Sequence, residues 1–336
     1  MELSILDQAP VSELQTGAEA ARNAVRLAQE GEKLGYKRMW MAEHHNTRLY
    51  GSPSPELIIS HIAAKTERIR VGTGGIMLMH YSPYKIAENI KTLSALAPRR
   101  IDFGAGRAPG GDHGSTYALS TSKAPDFSDQ YEKLDNALKM INEDEENTSE
   151  RRFQDVYTSP SGIDPLPEAW LLGSSGNSAA AAGQKGIGYS FAQFFARGAI
   201  NEDIFKTYRE NFQPSDFMQE PRVMVAYLVT VAETEEEAVR RALPQDIHLI
   251  GNAKGKSFQM PSTERANEMD LSDDVKKLIE MNREIHLVGT AKQVAEKLRA
   301  EKERYGIDEI MICSNQAEFE GRLETYRLLA DELIED

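Results

Sequence analysis

Ala42-Glu43-His44-His45-Asn46 sets a carboxylate beside two adjacent imidazoles, directly after the apolar run Met39-Trp40-Met41. An imidazole titrates near neutrality and can take or give a proton at physiological pH. Glu43 could orient such a ring or raise its pKa. A zinc site needs three or four converging ligands. Here the two histidines are adjacent, so their side chains tend to diverge. The H-E-x-x-H helix pattern is absent, and His61, His80, His113, His248 and His286 show no ligand spacing. The segment reads as acid–base chemistry without a metal, with satisfied polar residues on a loop as the plainer alternative.

Three further segments could hold a ligand. Trp170 to Gly183, WLLGSSGNSAAAAG, runs an apolar strand into a Gly-Ser turn and an alanine-rich helix. Backbone N–H groups and the positive end of such a helix favour an oxyanion. Ser174, Ser175 and Ser178 could add hydroxyl donors around Gly176, although serine capping alone would also account for them. Arg100 to Gly114, RIDFGAGRAPGGDHG, places Arg107 among glycines, where its guanidinium could pair with a phosphate. Gly104-x-Gly106-x-x-Pro109 is a near miss of the dinucleotide fingerprint, but Pro109 replaces the third glycine and the strand is not the first. Gly72 to His80, GTGGIMLMH, suggests either close backbone approach by a planar ligand or a plain bulge.

These segments need a scaffold that brings them together. Apolar runs at Leu3-Leu6, Arg38-Ala42, Ile69-Thr73, Ile101-Ala105, Ala169-Leu172, Tyr189-Ala192, Val223-Val231 and Glu309-Cys313 each lead toward an amphipathic helical stretch. Continuous apolar strands are expected where helices cover both faces of a parallel sheet. Eight such units predict an α/β fold, a (β/α)8 TIM barrel with insertions after strands 4 and 7. A doubly wound sheet is the alternative. In a barrel of this kind the active site lies at the C-terminal ends of the strands, and DQAP, EHHN, GGIMLMH, GRAPGGDHG, GSSGNS and QFF all fall there. Two stretches, Asp144-Leu166 and Gly251-Asp274, break the rhythm; loops of this length are lids, binding loops or plain insertions.

With 40% hydrophobic and 27% charged residues the chain has the composition of a globular protein, and we read it as one domain over residues 1–336. Its net charge of −14 argues against nucleic acid and anionic lipid as partners. The single cysteine, Cys313, excludes an intrachain disulfide and suits a reducing cytoplasm. No uncharged apolar run approaches the roughly 18 residues that span a bilayer. A soluble, cytoplasmic protein is expected.

In this order, AEHHN, RIDFGAGRAPGGD and WLLGSSGNSA resemble the bacterial luciferase-like flavin monooxygenases, most closely the single-chain alkanal monooxygenase-like subgroup. The resemblance implies a luciferase-like barrel that takes reduced FMN as cosubstrate, reacts it with O2 at the flavin C4a to a peroxyflavin, and oxygenates a small organic substrate. It implies that Arg107 grips the flavin phosphate, with Ser174, Ser175, Gly176 and Ser178 completing that site. Gly74-Gly75 would support the flavin ring through a non-proline cis peptide, with Gly106 facing it and Asp7 and Ala9 on the adjoining strand-1 rim. His44 would be the catalytic imidazole, with Glu43 and His45 beside it. Gln193 and Phe194 stand where related proteins handle substrate. Gly251-Asp274 would be a mobile lid, reduced flavin would come from a separate reductase, and a homodimer is the common assembly. A deazaflavin F420 hydride-transfer enzyme and a catalytically silent flavin-binding protein are the rival readings.

Overall fold

The computed structural model describes residues 1–120, 129–196, 200–253 and 259–334. Among the described residues, ten strands are all parallel to their neighbours: β1 Leu3–Asp7, β2 Arg38–Met41, β3 Arg70–Thr73, β4 Ile76–Met77, β5 Ile101–Gly106, β6 Glu168–Gly173, β7 Gly188–Ala192, β8 Val223–Ala232, β9 His286–Thr290 and β10 Glu309–Cys313. The order runs β10-β1-β2-β3-β5-β6-β7-β8, and β8 pairs back onto β10. That last pairing closes an eight-stranded barrel and rules out the open, doubly wound sheet.

Two short strands lie outside the eight. β4 pairs alongside Ala105 and Gly106 at the end of β5. β9 pairs with the far half of β8, from Leu228 to Ala232, while β10 pairs with its near half, from Met224 to Leu228. The ten-residue β8 is long enough to serve both. After β8 a helix runs from Glu235 through Pro244 to Ala253, and two further helices, Thr263–Glu268 and Asp273–Asn282, follow. Much of the stretch expected to be a lid is therefore helical; its residues 254–258 lie outside the described residues.

Side chains alternate along each strand, and this sorts them into two cores. Met39 and Met41 of β2 face the surrounding helices, whereas Trp40 and Ala42 face the barrel axis with Leu6, Trp170, Met224, Ala226 and Met311. Below this layer, at the N-terminal ends of the strands, Arg38 reaches Asp102 at 2.8 Å, Glu309 at 2.7 Å and Glu168 at 2.9 Å. Burial alone would push the guanidinium's pKa down; the carboxylates of Asp102, Glu309 and Glu168 outweigh it and raise it. Trp40 Nε1 donates to Asp102 at 2.9 Å and its ring meets Trp170 edge-on at 5.6 Å between centroids. The bottom of the barrel is thus plugged by an ion network and two indoles, and the open space lies at the C-terminal ends of the strands.

Candidate active site

A cavity of about 540 Å³ occupies that upper end. This is within the usual range for small-molecule and cofactor sites. It is entered by β1, β2, β3, β5, β6 and β7 or the turns that follow them, through Gln8, His44, Gly74, Arg107, Ser174 and Phe194. An open groove of about 640 Å³ between the helices at Tyr131–Lys139 and Ala181–Lys185 is larger, but it lies on the outer helical layer. The convergence of strand ends makes the barrel-mouth cavity the candidate site.

The two adjacent histidines separate. His44 lines the cavity, its ring 4.3 Å from that of Tyr50, with Nδ1 sealed and without a partner. Burial, aided by the charge of His45, pushes its pKa down to about 4, so the ring is neutral at physiological pH. His45 turns away from the cavity, and its Nε2 lies 2.7 Å from Glu43 Oε1. Glu43 is buried, and the same Oε1 accepts from Tyr81 Oη at 2.8 Å while Oε2 accepts from Met77 N at 2.9 Å. Glu43 and His45 are a brace that ties the His44 loop to the segment after β3. His45, expected beside His44 in the catalytic group, does not line the cavity: successive residues of an extended loop point to opposite sides, and His44 takes the inner one.

Arg107 follows β5 and lines the cavity. Its guanidinium lies over the Tyr131 ring at 4.7 Å, and Nε is buried without a hydrogen-bond partner. Leaving such a donor unmade is costly. Across the next strand, Ser174 and Gly173 line the same wall at the start of the helix Gly176–Gln184. Ser175 and Ser178 form a reciprocal capping box there, and Ser178 Oγ also contacts Tyr189 Oη at 3.1 Å. Ser175 and Ser178 are thus spent on the cap, while Ser174 remains on the cavity wall. Gly176 stands clear at the helix start, where a Cβ would meet no atom within 4 Å.

The Gly74-Gly75 peptide bond is cis. Gly74 lines the cavity, and a Cβ there would meet Leu6 Cδ1 at 2.9 Å. Gly75 sits behind it against the β5 backbone, where a Cβ would come within 3.0 Å of Gly104 O. Gly106 also lines the cavity, and a Cβ would press on Met77 Cε at 2.9 Å.

Three more expected site residues lie outside the cavity wall. Asp7 and Ala9 are fully buried behind the wall, because strand alternation turns Leu6 and Gln8 inward instead. Asp7 Oδ1 accepts from Arg322 Nη2 at 2.7 Å and from Ala9 N at 2.8 Å. Gln193 begins a short 3-10 turn and points outward, donating to Glu284 O at 2.9 Å; Phe194 and Phe195 of the same turn line the cavity. Gln8 is the residue that sequence reasoning missed, since a lone amide after a strand carries no local signal.

Residues 1–309 match the model of the family described as luciferase-like monooxygenase. The chain belongs to the luciferase-like monooxygenase family. YwcH of Bacillus subtilis is 42% identical to it over 332 residues, 98% of both chains. N-acetyl-S-alkylcysteine monooxygenase of the same organism is 34% identical over 99% of this chain and 98% of its own. The crystal structure of apo-MsnO8 matches with a TM-score of 0.87 at 32% identity, over 98% of this chain and 97% of that one. Membership in the luciferase-like monooxygenases carries a flavin-dependent oxidoreductase role. Among the described residues, no helix is long and apolar enough to cross a membrane.

Proposed function

We propose that the protein is an FMN-dependent monooxygenase, taking reduced FMN from a separate reductase and using O2 to oxygenate a small organic molecule. The observation that carries this reading is Arg107: a cation with a buried, unpartnered Nε, on the cavity wall beside the exposed start of the helix Gly176–Gln184. A phosphate would satisfy both the guanidinium and the helix end. Gly74 and Gly106 line the cavity with backbone alone, since a Cβ at either would strike Leu6 or Met77, and a wall without side chains suits a flat ring. The residues present therefore fit FMN, and a relative 34% identical bears the name of a monooxygenase.

When bound, reduced FMN supplies the electrons that activate O2. The chain's own residues do the rest. Arg107 and Ser174 hold the phosphate end. His44, kept neutral, offers Nε2 for taking up and returning a proton within the cavity. Glu43 and His45 fix the loop that presents it. Phe194 and Phe195, with ring centroids 4.8 Å apart, cover the mouth at β7 and exclude water. The cytoplasm, a homodimer, and a lid built on residues 251–274 complete the proposal.

An anaerobic titration with reduced FMN and, separately, reduced F420, followed by O2, tests this. Saturable binding of reduced FMN, then reoxidation kinetics altered by the protein, is the expected result. Binding of F420 with no binding of reduced FMN would overturn the reading in favour of hydride transfer. Tight FMN binding with no effect on its reaction with O2 would mark a silent binder.

A further inference from the structure

We infer that Gln8 is a specificity-determining residue, whose side-chain amide N–H groups receive a neutral acceptor oxygen, such as a ketone carbonyl, on the organic substrate. Gln8 lines the cavity and is only 7% exposed. Its Oε1 is occupied, accepting from Asn315 Nδ2 at 2.5 Å. Asn315 is held in that sense because its own Oδ1 faces Cys313 Sγ at 3.8 Å. Burial, with the nearby charge of Asp7, pushes the Cys313 thiol up to about 12, so it stays protonated and donates. With Oε1 committed to Asn315, the Gln8 NH2 has no partner among the described residues, and it is not sealed among the buried unpartnered atoms. It opens into the cavity.

Its position separates it from the phosphate end. β1 and β6 stand half-way round the eight-stranded barrel from each other, so Gln8 faces Ser174 across the mouth. Gln8 is instead built together with His44: Ser52 Oγ donates to Gln8 O at 3.1 Å, and Ser52 O accepts from His44 N at 3.0 Å. Below the pair lie Leu6, Ala226 and Met311.

The charges at this end decide the ligand class. Among the described residues, Arg107 is the one arginine or lysine lining the cavity, and it lies toward the helix start. Glu43 lines this end too, with both oxygens already engaged by protein groups. A substrate carboxylate here would meet Glu43 with no cation to pair it, and an ammonium would find no free acceptor on that carboxylate. An apolar body with one neutral acceptor oxygen fits a donor amide set in an apolar wall. A donor left unpaired by a ligand lacking that oxygen discriminates strongly.

The inference rests on the FMN reading only for which end the phosphate takes. Acetophenone and ethylbenzene, similar in size and differing in the carbonyl, are the probes. Their binding is measured by calorimetry or quenching of tryptophan fluorescence, with the native protein under anaerobic reduced FMN and without flavin. Acetophenone is expected to bind at least tenfold tighter than ethylbenzene. Gln8→Leu should shrink that preference to under threefold, with ethylbenzene and reduced FMN binding unchanged. Gln8→Glu keeps the shape, removes the donors and should act in the same direction. No preference in the native protein, or a preference surviving both substitutions, would overturn the assignment. So would weakened reduced FMN binding in Gln8→Leu with the preference intact, which would make Gln8 a flavin contact. Failure of native protein to bind reduced FMN while the carbonyl preference holds would instead strike the cofactor reading alone.

Discussion

His45 Nε2 lies 2.7 Å from Glu43 Oε1, on the far side of the loop from the cavity that His44 lines. This contact divides the labour between two chemically identical neighbours. His45→Ala removes a hydrogen-bond partner from a buried carboxylate, which costs about 1.5–3 kcal/mol for a charged group. Urea denaturation should show that loss. His44→Ala should leave the urea midpoint nearly unchanged and alter the reaction of bound reduced FMN with O2. The reverse pattern would assign the roles the other way.

Acid sensitivity follows from two buried rings. His44 and His248 are both pushed down to about 4, burial being the main cause. Their unfolded values lie near 6.5. The folded state therefore takes up protons less readily, and the stability these groups contribute is complete above about pH 6.5 and lost as pH falls toward 4. Each should cost roughly 1.4 kcal/mol per pH unit across that window. Denaturation at several pH values should show the slope, reduced in His248→Gln. Stability flat from pH 7 to 4.5 would contradict it.

Asp7 and Arg322 form a fully buried pair at 2.7 Å. Arg322→Met strands the carboxylate and should destabilise by about 3–5 kcal/mol, whereas replacing both partners with neutral residues should recover much of that. A double-variant cycle by chemical denaturation measures the difference. Additive losses would show that the pair is not coupled.

Gly104 sits where β5 passes the end of β3, and a Cβ would fall 2.0 Å from Thr73 O. The obstacle is backbone, so it cannot rotate away. Gly104→Ala should cost about 1–3 kcal/mol or more, seen as a lowered thermal midpoint. An unchanged midpoint would mean that β3 and β5 can part locally at no cost.

The eight barrel strands were legible because most are continuous apolar runs and each leads toward a helical stretch. β9, His286-Leu-Val-Gly-Thr, was not: its histidine is buried between Thr230 Oγ1 at 2.9 Å and Asp246 Oδ1 at 3.0 Å, partners 56 and 40 residues away. The helix Glu235–Ala253 runs through Pro244, a residue that ordinarily breaks helices, and buried Gln245, Asp246, Ile247 and His248 beyond it pack inward. At the site, strand-end placement brought out His44, Arg107, Ser174 and Phe194. It did not fix which side of each strand faced the axis. One residue of register separates Asp7, paired with Arg322, from Gln8 in the cavity, and Gln193 from Phe194. Ser175 and Ser178 show the same limit, since a capping box and a phosphate loop share their serines.

The central claim is that Arg107 holds the phosphate of FMN in this cavity. Affinities of reduced FMN and reduced riboflavin, which lacks the phosphate, should be measured for the native protein and Arg107→Ala. The account predicts at least a tenfold loss for reduced FMN, in line with about 1.5–3 kcal/mol for a charged hydrogen bond, and riboflavin affinity unchanged within twofold. An equal loss for both flavins, or no loss for either, would contradict it.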